Sequence, residues 1–149
     1  MEYMFYDYGL AASAQRHADT CDFAHSRGRR NVGENIWAAP YRQYQEAVRL
    51  WYNEKSWCPC QPYFSHCCGH YTQVVWANSN RVGCGFAECS YVRNTGVSYR
   101  ISYVFVCHYS PAGNRIGQRG PKRAYTSGRQ CSNCPAYAPG CRSGLCYPR

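Results

Sequence analysis

Gly33-Glu34-Asn35-Ile36-Trp37 and Gly69-His70-Tyr71-Thr72-Gln73-Val74-Val75-Trp76 hold most of the information in this chain. Each sets one ionisable side chain among apolar and aromatic neighbours. Glu34 stands between a glycine and an Ile-Trp run. His70 opens a stretch that closes on Trp76. A carboxylate and an imidazole in such surroundings are either buried and paired or part of a site. Around them lie Cys21-Asp22-Phe23-Ala24-His25-Ser26 upstream and Gly83-Cys84-Gly85 downstream.

Composition narrows the setting. A chain of 149 residues suits one domain. Fifteen tyrosines fit half-buried sheets and pockets, where the ring packs and the hydroxyl finds a partner. Twelve cysteines, an even number, fit a fully paired disulfide scaffold and an extracellular compartment. Met1 to Asp7 does not read as a signal peptide, having neither a basic region nor a continuous apolar run. No segment is apolar enough to span a membrane.

The net charge of +9 is unevenly placed. Residues 1–88 carry eight basic and eight acidic side chains; residues 89–149 carry nine basic and no acidic ones. Fifteen of the seventeen basic residues are Arg, which contacts sulfate, phosphate or carboxylate in bidentate fashion. The surplus either solvates a tail or attaches the chain to an anionic surface such as sulfated glycan or acidic lipid. Arg115, Arg119, Lys122, Arg123 and Arg129 are the anion-binding candidates. No nucleic-acid partner is expected.

Periodicity predicts helices over 10–21 and 41–53, the second with Tyr44, Val48 and Leu50-Trp51 as its apolar stripe. Met4 to Tyr8 reads as extended. Strands are predicted over 82–91 and 98–109, joined by a turn at Asn94-Thr95-Gly96. Tyr99, Ile101, Tyr103, Phe105 and Cys107 alternate there with Arg100, Ser102, Val104 and Val106. From Ser110 onward Gly, Pro, Ser and Arg dominate. Such a segment folds only with staples, and a boundary is placed near Gly120. This gives a unit over 1–120 and a basic tail over 121–149. Periodicity leaves 69–77 open between strand and helix.

Cys58-Pro59-Cys60 with His66-Cys67-Cys68 and His70 offers zinc-ligand types, but Cys-x-Cys and adjacent cysteines chelate poorly in a tetrahedron. Ser26 beside His25, with Glu34 near, is the one nucleophile–base arrangement the motifs offer. It lacks a Gly-x-Ser-x-Gly turn. Trp57, Tyr63 and Phe64 flank a loop that would present rings to a lipid or partner, or pack beneath it.

These motifs together resemble the CAP superfamily of cysteine-rich secretory, antigen five and pathogenesis-related one proteins. The likeness runs from Tyr3 nearly to Arg149. The four-cysteine loop, the Tyr109-to-Gly117 run and the closing Cys-x-x-Cys-Pro segment are most similar to the branch of peptidase-inhibitor-like and LCCL-domain proteins. The resemblance implies an α+β fold: an α/β/α sandwich around a mainly antiparallel sheet, with residues 69–77 helical. It also implies a small disulfide-stapled C-terminal tail. A helix that usually precedes Tyr3-Met4-Phe5-Tyr6-Asp7-Tyr8 in the family is not in this chain, so one sheet face is expected to be less covered.

The resemblance further implies the bridges Cys21–Cys89, Cys84–Cys107, Cys131–Cys141 and Cys134–Cys146, with Cys58, Cys60, Cys67 and Cys68 pairing among themselves. Val32 and Ser110 stand where a further family bridge would be. Four residues match the family's site: His25 and His70 as ligands of a divalent cation, zinc foremost, and Glu34 and Glu54 holding their far ring nitrogens. The alternative is a hydrogen-bond network that only holds the cleft together. The expected function is a secreted, non-enzymatic binding module for an extracellular protein, a sterol or fatty acid, or sulfated glycan. A protease inhibitor and a weak metal-dependent hydrolase are the other readings.

Overall fold

The computed structural model describes residues 1–57 and 62–149. Four strands, β1 (Phe5–Tyr6), β2 (Gly33–Ala39), β3 (Arg81–Glu88) and β4 (Tyr103–Ser110), form a sheet in the order β1-β3-β4-β2. The β2–β4 and β3–β4 pairs are antiparallel, and the short edge strand β1 runs parallel to β3. Helix α1 (Tyr8–Ala18) covers one face; α2 (Tyr44–Asn53) and the short α3 (Gly69–Val74) lie on the other side. This is the expected sandwich.

Alternation along β4 builds both cores. Val104 and Val106 point to α1 and pack with Ala14, Ala18 and Ile36. Phe105, Cys107 and Tyr109 point the other way, toward Trp37, Ala47 and Trp51. Helix α1 sits close because Gly83 and Gly85 present no side chain. A Cβ on Gly85 would lie 2.4 Å from the Gln15 backbone, and one on Gly83 would lie 2.1 Å from the Ala11 nitrogen. Asp7 starts the helix: its Oδ1 accepts from the Leu10 amide at 2.9 Å. That bond is the leading cause holding the Asp7 carboxyl below its usual range.

Several boundaries differ from the sequence reading. Helix α1 ends at Ala18, and Cys21 takes a left-handed backbone (φ 54°) that turns the chain toward Cys89. Helix α2 starts at Tyr44, and its inward line is half-buried Tyr44 with buried Ala47 and Trp51; Val48 and Leu50 face solvent. The period-two pattern over 98–109 runs past its strand, which begins at Tyr103. Its phase breaks there, since Ile101 sits in the α1 core with Val92, opposite Tyr103. The Glu34 segment itself, for which periodicity predicts no element, forms strand β2. Phe86 stays 48 % exposed beside Tyr44.

Among the described residues four disulfides join Cys21 to Cys89, Cys84 to Cys107, Cys131 to Cys141 and Cys134 to Cys146, as the resemblance implied. Cys67 and Cys68 are also disulfide-bonded, which removes them as thiolate zinc ligands. Cys58 and Cys60 lie outside the described residues. Two hairpins follow the sheet: β5 (Ile116–Gly117) with β6 (Gly120–Pro121), which straddles the boundary placed near Gly120, and β7 (Gly140–Arg142) with β8 (Leu145–Tyr147) in the tail. The tail is tied back to the sheet domain: Tyr3 donates to the Cys146 carbonyl at 2.9 Å, and buried Ala124 packs with α3.

Candidate functional site

The two opening motifs meet through Gly33 and Gln73. A Cβ on Gly33 would fall 1.9 Å from Gln73 Oε1, so only glycine lets β2 pass this fully buried amide. Gln73 Oε1 accepts from the Gly113 amide at 3.0 Å, and its Nε2 donates to Ser79 Oγ at 3.3 Å. Asn35 Nδ2 donates to the His70 carbonyl at 3.1 Å and ties β2 to α3. These bonds fix the spacing of the Glu34 strand and the His70 helix.

Between them opens a cleft of about 380 Å³ lined by His25, Glu34, His70, Phe64 and Asn114. His25 Nδ1 donates to Glu34 Oε1 at 2.7 Å, and His70 Nδ1 donates to Glu54 Oε1 at 2.6 Å. A carboxylate only accepts, so both protons are placed on Nδ1. Each Nε2 then keeps its lone pair, with no partner among the described residues. Trp51 stacks on the His70 ring at 5.9 Å and 5°, fixing its plane, and the Tyr71 amide donates to Glu54 Oε2 at 2.9 Å. All four matched residues therefore pair as His–Glu couples.

Glu34 is the more deeply held carboxylate, with no side-chain exposure. Burial alone would push its carboxyl up. Hydrogen bonds from His108, His25 and Ser26 and the Arg29 charge more than reverse this, holding it far below the usual carboxylate range. Ser26 Oγ donates to Glu34 Oε2 at 2.5 Å, so its hydroxyl is directed at the carboxylate and not at His25. The Ser26–His25 nucleophile–base arrangement that the motifs offered is not formed, since both side chains bond Glu34.

His108, Arg29 and Ser13 were missed in the sequence. His108 Nε2 donates to Glu34 Oε2 at 2.8 Å, and its Nδ1 lies 2.6 Å from Ser13 Oγ on α1. The signal was available in the register: if Cys84 faces Cys107, then Gly83 faces His108, and the next strand brings Glu34 alongside.

The flanking aromatic residues separate. Trp57 is 65 % exposed, Tyr63 is 43 % exposed under the Arg123 guanidinium, and Phe64 packs toward Cys68, Tyr71 and Trp76. Of the anion-binding candidates, Arg115, Lys122 and Arg123 share one hollow and Arg119, Lys122 and Arg123 a second. Arg129 lines a third, together with Glu2.

Comparison with known proteins places this geometry. The profile of the cysteine-rich secretory protein family, CAP, matches residues 1–109. The chain belongs to the CAP family. Protein lon-1 of Caenorhabditis elegans is 54 % identical over 159 aligned positions, covering 99 % of this chain and 50 % of lon-1. Peptidase inhibitor 15 of Homo sapiens is 37 % identical, covering 99 % of this chain and 62 % of that protein. The CAP chain thus spans half of lon-1 and less than two thirds of peptidase inhibitor 15. Among solved structures, NaASP2 with Zn2+ aligns over 98 % of this chain and 76 % of its own, with a TM-score of 0.73 and 29 % identity.

The donor chemistry of the CAP cleft suits a divalent cation only loosely. Two imidazoles oriented by carboxylates are the right ligand type for zinc. Among the described residues, no three His, Cys, Asp or Glu side chains converge as a cage. Any ion there would take its remaining ligands from water or from a bound partner.

Proposed function

We propose that this CAP domain is a secreted, non-enzymatic binding module whose cleft takes a divalent cation, zinc foremost, weakly on His25 and His70. One observation carries the reading: two imidazoles line one cleft, each with Nδ1 engaged by its own carboxylate and Nε2 left as a ligand atom. Two protein ligands leave coordination positions for an anionic or carbonyl group of a partner. Secretion is supported by the disulfides and by the family's secretory character. Imidazole nitrogen NMR during a zinc titration tests the site. The Nε2 signals of His25 and His70 should move together while those of His17 and His108 stay; uniform movement of all four would refute it.

A second reading, peptidase inhibition, is favoured by the name of the 37 % identical relative, peptidase inhibitor 15. A trypsin-inhibition assay with the whole chain discriminates, since a cation-binding module without an inhibitory loop leaves the protease rate unchanged.

A further inference from the structure

Four of the nine basic residues in 89–149 are gathered in one place. Arg115, Arg119, Lys122 and Arg123 are all exposed and flank two adjoining hollows, of about 530 and 870 Å³, that share Lys122 and Arg123. Neither hollow has an Asp or Glu in its wall. Two of the cations are held in place by side-chain hydrogen bonds. The Arg115 guanidinium donates to the Ala112 carbonyl at 3.1 Å and to the Asn31 side chain. Arg123 Nε donates to Tyr63 Oη at 2.8 Å. The Lys122 amide donates to the Arg115 carbonyl at 2.9 Å, closing the base of the β5–β6 hairpin that carries Arg119. Among the described residues the Arg119 and Lys122 side chains have no hydrogen-bond or ion-pair partner.

We propose that this pair of hollows is a binding groove for a sulfated glycan, with Arg115, Arg119, Lys122 and Arg123 as its sulfate contacts. Charge complementarity is the first argument, since four cations with no acid among them attract an anionic partner. Shape is the second. A narrow, flexible chain enters hollows in succession, whereas a flat lipid surface reaches only cations on a common convex face. The uncharged lining is the third: Asn31, Asn78, Thr126 and Gln118 supply hydrogen-bonding groups suited to sugar hydroxyls. Arg115 and Arg123, already fixed by their hydrogen bonds, lose little freedom on binding, which favours affinity. The groove excludes Arg129, whose hollow contains Glu2. This inference goes beyond the cation cleft and does not rest on it.

The test uses the full chain and a heparin octasaccharide in calorimetry. Arg119→Glu/Lys122→Glu should weaken binding by about tenfold or more. Arg100→Glu/Arg149→Glu, with the same change in net charge at other exposed positions, should change it little. Binding should weaken with added salt, because screening acts over about 8 Å at physiological ionic strength. It should persist in His25→Ala/His70→Ala. Equal losses in the two charge-reversal variants would mean diffuse attraction and overturn the groove. So would equal affinity for desulfated heparin, or tighter binding to phosphatidylserine vesicles than to the octasaccharide.

Discussion

His108 and Glu34 face each other across the β2–β4 pair, Nε2 to Oε2 at 2.8 Å, both almost wholly buried. The same carboxylate accepts from His25, from the Ser26 amide and hydroxyl, and from Arg29. One residue thus joins the sheet interior, the loop after α1 and the cleft wall. The orientation of His25 in the cleft depends on a bond network that reaches through the sheet to α1 at Ser13.

Removing the carboxylate leaves buried donors without an acceptor. Glu34→Ala should destabilise the fold by about 3–5 kcal/mol, the usual cost of breaking a buried charged pair from one side. Urea unfolding midpoints of the two proteins measure it.

Acid should act through the same group. The folded-state carboxyl of Glu34 lies below its ordinary value of 4.5. Its contribution is therefore fully present above about pH 4.5 and is lost progressively as pH falls further toward the folded value. Stability measured from pH 7 down to pH 3 should decline over the lower part of that range. Glu34→Gln should flatten this decline.

Close approach of α1 to the sheet gives a backbone prediction. Gly85→Ala would drive a methyl group to 2.4 Å from the Gln15 backbone, and should cost about 1–3 kcal/mol as an overpacked contact. Gly128→Ala, whose nearest neighbour would be Ser132 Oγ at 3.5 Å, is the control and should change thermal stability little.

Cysteine pairing is checked by mass. No described cysteine is free, and the remaining two, Cys58 and Cys60, are expected to be paired as well. Alkylation of the folded protein without reductant should add no label. Uptake of two labels would leave Cys58 and Cys60 as thiols.

Much of this was legible in the sequence. The Gly-Glu-Asn and Gly-His-Tyr motifs marked Glu34 and His70, and the family likeness supplied His25, Glu54 and four bridges that the structure contains. Residues that act only through tertiary register were not legible. His108 lies in a strand whose alternation is apolar on both faces, so one imidazole there carries no local signal. Arg29 sits in a basic loop, and only the fold aims it at Glu34. Strand boundaries failed where Ile101 turned into the α1 core, because a period-two pattern continues in sequence through a break in backbone phase. The hollows shared by Lys122 and Arg123 depend on hairpin geometry, which composition does not encode. Placement of charge in the second half of the chain nevertheless pointed to them.

The most direct test of the central claim is zinc calorimetry on the full chain beside His25→Ala/His70→Ala, both shown to be folded by circular dichroism. The wild-type protein should give weak one-to-one binding that fades as pH falls, since proton and cation compete for the same ring nitrogens. The double variant should give none. Identical isotherms for the two proteins would contradict the account and leave His25 and His70 as parts of a hydrogen-bond network that holds the cleft together.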